Sequence, residues 1–322
     1  MLRLVLATAV LGLFLSHPAL AAAPPQVSAD AYVVVNATTG ETLARDDAAD
    51  RLPIASITKL MTVVVALEHA KPDEVATVSA RAASVGGATA GLYAGQRVTV
   101  RELVRAALIA SANDATNALA EHAAGSVERF VQLMNARARS LGLRDTSFAR
   151  PDGLDAPGHY SSARDVTRLA RVAMRRTLVR ETVDDSSVTI GGRTLPGWND
   201  VMRRHFSFEI VGVKTGHTGE AGWCQVAAAR DPRGFTLYAT VLGSPTRSQR
   251  NDDVAALLDW AAQRYAYRRV ITRGAMWWAR DAVSQETCRP TGAFRPKGSP
   301  LPTPSRRLSW LIDRFPNAPS AR

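Results

Sequence analysis

Ser56-Ile57-Thr58-Lys59 pairs a hydroxyl with an amine three positions away, just before the apolar run Leu60 to Leu67. If these residues open a helix, both side chains stand on one face, as a nucleophile beside a base. A serine hydroxyl attacks a carbonyl only when a neighbour takes its proton, and a lysine can do so only while its amine is neutral. On its own the four-residue pattern is met as well by a helix cap with a solvated lysine. Two further groups decide the matter: Ser111-Ala112-Asn113, and Lys214-Thr215-Gly216. The first adds a second hydroxyl and an amide; the second adds a cation that opposes protonation of Lys59 if the two meet.

The elements that must carry these groups follow from period and punctuation. Ala31–Val35 and Glu41–Ala44 read as a hairpin ahead of the Ser56 helix, with a turn over Asn36–Gly40. Asp73–Ala83 reads as a helix or strand with irregular ends. Val100, Leu103, Val104, Ala107 and Leu108 keep helical spacing, and their helix ends at Ser111. Helices over 115–124 and 126–141 follow, then a loop over Phe148–Tyr160. Ser162-Ala163-Arg164-Asp165 starts another helix, which makes Ser161 and Ser162 caps. Strand patterns then take over: 188–190 and 194–195 around Gly191-Gly192, then 211–216, 222–228 and 235–242, before a last helix over Asp252–Tyr267. Strands, helices, then strands with a helix imply an α+β domain: an antiparallel sheet with a segregated helical layer.

At 322 residues, 46% of them apolar and 21% charged, the chain can bury a large core. Residues 1–23 read as a signal peptide: Met1-Leu2-Arg3, an apolar run from Leu4 to Leu15 too short for a bilayer about 30 Å thick, and a small-residue site at Ala19-Leu20-Ala21. An exported, extracytoplasmic, wall-associated enzyme is expected. The catalytic domain is expected over 29–268, followed by a basic Pro/Arg-rich tail over 269–322. From Arg264 onward, 12 Lys or Arg stand against 3 Asp or Glu, so most of the formal +11 lies there. Nucleic acid is a poor partner for an exported chain. An anionic membrane surface or wall polymer suits the tail, and so does plain solvation. Cys224 and Cys288 leave a disulfide or a buried thiol open. No metal or cofactor is called for.

The wider strings carry a specific resemblance. Pro53–Thr62, Ser111–Ala115, Pro151-Asp152-Gly153-Leu154 with Gly158–Asp165, and Gly212–Gly222 resemble, in order and spacing, the low-molecular-mass penicillin-binding proteins of the serine D-alanyl-D-alanine carboxypeptidase type. The resemblance runs from about Ala29 to about Tyr265. It implies the transpeptidase fold shared with serine β-lactamases, and removal of the last D-alanine from peptidoglycan stem pentapeptides through a Ser56 acyl-enzyme. β-Lactam antibiotics would be covalent inhibitors. Ser56, Lys59 and Ser111 would be catalytic. The backbone N–H groups of Ser56 and His217 would form the oxyanion hole. Asn113, Lys214, Thr215, Gly216, His217 and Arg250 would bind substrate, with Arg247 near enough to leave the carboxylate-reading arginine open. The His159 block is expected to be structural.

Two departures stand out. Trp198-Asn199-Asp200 lies where family members often carry Asn or Arg, and few residues remain after Tyr267 for the second, β-rich domain many possess. A D,D-endopeptidase that cuts crosslinks fits the same residues. A β-lactamase would need an E-x-x-L-N string, which the 148–160 loop lacks, and a non-catalytic wall-binding module would need no nucleophile and base together.

Overall fold

A computed structural model describes residues 23–272 and 275–282. The signal region through residue 22 and Cys288 lie outside the described residues, as does the tail beyond residue 282.

Strands β1 (Ala31–Asn36) and β2 (Glu41–Asp46) form the expected hairpin. Asn36 turns the chain by accepting the Thr38 and Thr39 amides on its side chain. A 3-10 turn (Ala55–Thr58) leads into helix α1 (Lys59–His69). The strand pair β3 (Val75–Thr77) and β4 (Arg97–Thr99) flanks the one-turn helix α2 (Ala80–Ala83). Helix α3 (Val100–Arg105) starts from a Thr99/Glu102 capping box and widens into a π-helical turn over Ala106–Ala110. Helices α4 (Asn113–Ala124), α5 (Val127–Ser140), α6 (Ala163–Ala173) and α7 (Thr177–Thr182) follow. Then come the hairpin β5 (Ser187–Ile190) and β6 (Arg193–Pro196), the strands β7 (Glu209–Thr218), β8 (Gly222–Arg230) and β9 (Thr236–Ser244), helix α8 (Arg247–Gln263), and a hairpin of β10 (Tyr265–Thr272) and β11 (Ala275–Ala282). The final helix therefore begins five residues earlier than its periodicity suggests and ends before Tyr265. The last hairpin crosses the expected 268/269 boundary.

The main sheet is antiparallel, in the order β2-β1-β9-β8-β7. All six residues of β1 are buried, because it lies inside the sheet with both faces covered. Side chains alternate between two cores. Val33, Val35, Val226 and Leu242 join helices α1 and α4–α6, whereas Tyr32, Val34, Ala227 and Val241 meet Val254, Leu257, Leu258 and Ala261 of α8. Helices thus cover both faces of the sheet. Residues 59–66 of α1 are all buried, so this helix is the centre of the helical layer. Strands β2 and β7 are the sheet edges, and β7 runs beside the 3-10 turn that carries Ser56.

Candidate active site

The 3-10 turn brings Ser56 and Lys59 together, because side chains at i and i+3 eclipse at three residues per turn. Lys59 Nζ lies 2.8 Å from Ser56 Oγ. The amine also donates to Asn113 Oδ1 at 2.7 Å and to the Asp152 carbonyl at 2.6 Å. Asn113 cannot be the other way round, since its Nδ2 donates to the Gly86 carbonyl at 2.8 Å. A neutral amine has two N–H groups and one lone pair. Two of its three partners are acceptors only, so the lone pair is left for the Ser56 hydroxyl proton. Lys59 is fully buried, and burial pushes its amine down to about 7, with Arg150 adding to the shift and Asp152 and Asp114 opposing it.

The second hydroxyl-amine pair sits across the site. Lys214 Nζ donates to Ser111 Oγ at 3.0 Å and to the Thr215 carbonyl at 2.9 Å. Burial pushes this amine well below the ordinary lysine value, and the charges of Lys59 and Arg250 push it further. Lys59 and Lys214 therefore oppose each other's protonation. The sequence led us to expect Lys214 as the cation acting on Lys59; the cation that lowers Lys59 is Arg150, to which nothing in the spacing pointed, and the coupling between the two lysines is felt at Lys214.

Ser111 ends the π-helical turn in the left-handed region, at φ 59°, and Ala55, just before Ser56, does the same at φ 48°. Two non-glycine residues are thus held in a costly conformation within or beside the two serine motifs. Their neighbours fix them. The Asp114 carboxylate accepts the amides of Ala90, Leu92 and Ala115, and the Asn113 amide donates to the Ala88 carbonyl, so the glycine-bearing loop over 86–92 is tied to the start of α4.

The loop over 150–159 supports the site from the other side. Pro151 accepts from Thr62 Oγ1 at 2.6 Å, next to the carbonyl that receives Lys59. Gly153, at φ +82°, approaches the Ala55 carbonyl so closely that a Cβ would lie 2.1 Å from it. His159 is structural, as expected. Its Nδ1 accepts the Ala149 amide at 3.0 Å, so the Nε2 proton goes to Thr58 Oγ1 at 2.8 Å, and burial pushes the ring down to about 4.

Gly216 brings β7 against Ser56. A Cβ there would lie 2.9 Å from the Ile54 carbonyl and 3.1 Å from the Ser56 amide nitrogen. Thr215 is buried, whereas the His217 ring is exposed and stacks on Trp223 at 3.9 Å. Arg250 is buried inside α8, with its guanidinium 5.7 Å from the Trp223 ring centre and donating to Asn251 Oδ1 at 2.6 Å. Arg247 is half exposed and pairs with Asp200 at 2.6 Å. Of the two arginines, only Arg250 lies close enough to Lys214 to shift it. Trp198 donates from its indole N–H to the Ala110 carbonyl at 3.2 Å and lines a cavity with Ile109, Lys214 and Thr215. Trp223, Asp152, Arg150 and Asn117 were not singled out from sequence. Asn117 had a signal, since it stands one helical turn from Asn113, and its Nδ2 donates to the Asn113 carbonyl at 2.9 Å. Cys224 is a free, buried thiol, pushed up to about 12 by burial. No cluster of metal-ligating side chains occurs among the described residues.

Comparison with known proteins agrees with this geometry. The family model described as D-alanyl-D-alanine carboxypeptidase, peptidase S11, matches residues 19–246. The D-alanyl-D-alanine carboxypeptidase DacF of Bacillus subtilis is 36% identical over 245 residues, covering 74% of this chain and 63% of the relative. DacD of Salmonella typhimurium is 34% identical over 291 residues, covering 84% and 74%. The chain thus spans just under two thirds of the Bacillus relative. The crystal structure of penicillin binding protein 6B from Escherichia coli superposes with a TM-score of 0.73 at 32% identity, covering 82% of this chain and 87% of that one. With the three motifs brought together on an α+β scaffold of that kind, the chain belongs to the D-alanyl-D-alanine carboxypeptidase family, peptidase family S11.

Proposed function

We propose that this protein is an exported serine D,D-carboxypeptidase that removes the terminal D-alanine from peptidoglycan stem pentapeptides. The observation that carries the reading is the Lys59 amine, buried with two acceptor-only partners and its third contact at the Ser56 hydroxyl.

In the proposed sequence Ser56 Oγ attacks the carbonyl carbon of the penultimate D-alanine while its proton passes to Lys59 Nζ. The backbone N–H groups of Ser56 and His217, brought close by Gly216, hold the developing oxyanion. The C–N bond breaks as the proton held on Lys59 passes through Ser111, held at Lys214, to the leaving amine, which leaves Lys59 neutral again. Water, deprotonated by Lys59, then cleaves the ester and frees the tetrapeptide. Thr215 and the cationic neighbourhood of Lys214 and Arg250 suit the substrate's free carboxylate. Strand β7 is a sheet edge, so an extended stem backbone can add beside it, with Asn113 across the groove.

The test is incubation of the purified chain with penicillin, a stem pentapeptide and a crosslinked dimer. Mass spectrometry is expected to place a penicillin adduct on Ser56, with D-alanine released from the pentapeptide. Lys59→Met should abolish both at unchanged circular dichroism. Absence of adduct and of D-alanine release would overturn the reading, and cleavage of the dimer alone would assign an endopeptidase.

A further inference from the structure

The carbonyl that receives Lys59 belongs to a residue whose own side chain is an almost fully buried carboxylate. Asp152 is 1% exposed, and its Oδ1 accepts Arg150 Nε at 2.5 Å and the Leu154 amide at 3.1 Å. Its Oδ2 accepts Arg150 Nη2 at 3.0 Å and Asn117 Nδ2 at 2.8 Å. Burial alone would raise this carboxyl, but the bonds from Arg150, Asn117 and Leu154 hold it below the ordinary aspartate value. A negative charge is therefore fixed on the same residue whose carbonyl receives an amine that the proposed chemistry needs uncharged. An anion so close favours the ammonium form by its field. The bidentate guanidinium of Arg150 supplies the compensating charge.

We propose that Arg150 and Asp152 form a positioning pair for Lys59: the Asp152 carbonyl aims the amine at Ser56, and Arg150 cancels the carboxylate field that would otherwise keep it protonated. The pair touches none of the reacting atoms except through that carbonyl, and the inference rests on Lys59 being the base. The other charged or titratable groups facing Lys59 are Asp114 at the start of α4, His159 in the 150–159 loop and Lys214 on β7. His159 is neutral above about pH 4, and Asp114 is spent on the amides of Ala90 and Leu92. Lys214 is itself held well below the ordinary lysine value by burial, so it adds little positive charge beside Lys59. Arg150 is one-third exposed, lining an open groove with Arg81, Asn117 and Glu128, so its removal leaves no cavity in the core.

The sign of the effect differs between the two partners, and that difference is the test. Two quantities are read on the full chain: the rate of acylation by a fluorescent penicillin between pH 5 and 9, and the titration of Lys59 by NMR in protein labelled with 13C-lysine. In Arg150→Met, Asn117 and the Leu154 amide still keep Asp152 ionised. The Lys59 titration and the acid limb of acylation should then move up by about one pH unit, roughly a tenfold loss of rate at pH 6. Arg150→Lys should restore most of the profile. Asp152→Asn keeps the carbonyl and removes the carboxylate, and should move both quantities downward. Combining Arg150→Met with Asp152→Asn should bring them back toward the parent. An Arg150→Met protein whose Lys59 titration stays within 0.2 units of the parent overturns the proposal, as does a double variant displaced as far as the single one. A Lys59 that titrates as described in a protein that penicillin never acylates would instead sink the carboxypeptidase reading and leave the pair standing.

Discussion

At Gly216 a missing side chain matters as much to the site as the Lys59 amine does. No positive φ demands glycine there; contact does, since a Cβ would press on the Ile54 carbonyl and the Ser56 amide. Gly216→Ala should push β7 away from Ser56. The expected result is an acylation rate lowered by at least tenfold, with a stability loss of about 1–3 kcal/mol from overpacking. Stopped-flow acylation and urea unfolding read the two separately. Unchanged acylation would show that the backbone of β7 is not the partner of Ser56. The residue types of the proposed chemistry were legible in the sequence because serine, lysine and the K-T-G glycine have few other reasons to recur in that order. The Arg150–Asp152 pair was not legible: Asp152 sat inside a quoted string and Arg150 just ahead of it, and their pairing depends on how the 150–159 loop folds onto α1.

Elements hold these residues by local strain as well as by packing. The π-helical turn adds width at the end of α3 and delivers Ser111 into the left-handed region. Ser111→Gly removes both the hydroxyl and the steric cost of that conformation, which is about 1 kcal/mol for a non-glycine residue. The variant should therefore melt at least as high as the parent while releasing D-alanine more slowly. A variant that melts well below the parent would show that Ser111 stabilises the fold. Helix α3 was legible from its apolar spacing through Leu108, but its π turn was not, because Ala106–Ala110 are all apolar and buried and so offer no polar face whose rotation would reveal the extra residue. Helix α8 shows the opposite limit. Its register was missed at both ends, yet placing Arg250 inside it explains how a guanidinium comes to be buried against Trp223 and close to Lys214.

For the molecule as a whole, two buried amines make stability depend on alkaline pH. Lys59 binds its proton near pH 7 in the folded chain and near the ordinary lysine value when unfolded. Between those values the unfolded state holds more protons, so folding stability rises with pH, by an amount on the order of a few kcal/mol. Lys214 acts in the same direction. Unfolding free energy measured by urea should climb from pH 7 to 10, and Lys59→Met should flatten part of that climb. A parent chain whose stability is level over this range would contradict the burial of uncharged lysines. The α+β class and the antiparallel sheet could be read from the chain, whereas the sheet order could not, because it depends on which strands meet rather than on what each one contains. That order also governs when the site can exist. Ala31 pairs with Leu242 across nearly the whole described chain, and β1 cannot take its place until β9 is present. Such long-range pairing slows folding, since loop closure comes before any contact compensates for it. Ser56, made early, is therefore expected to stay inert until β9, which ends at Ser244, has been synthesised and has paired with β1, so this topology delays assembly of the site until well past the midpoint of the chain.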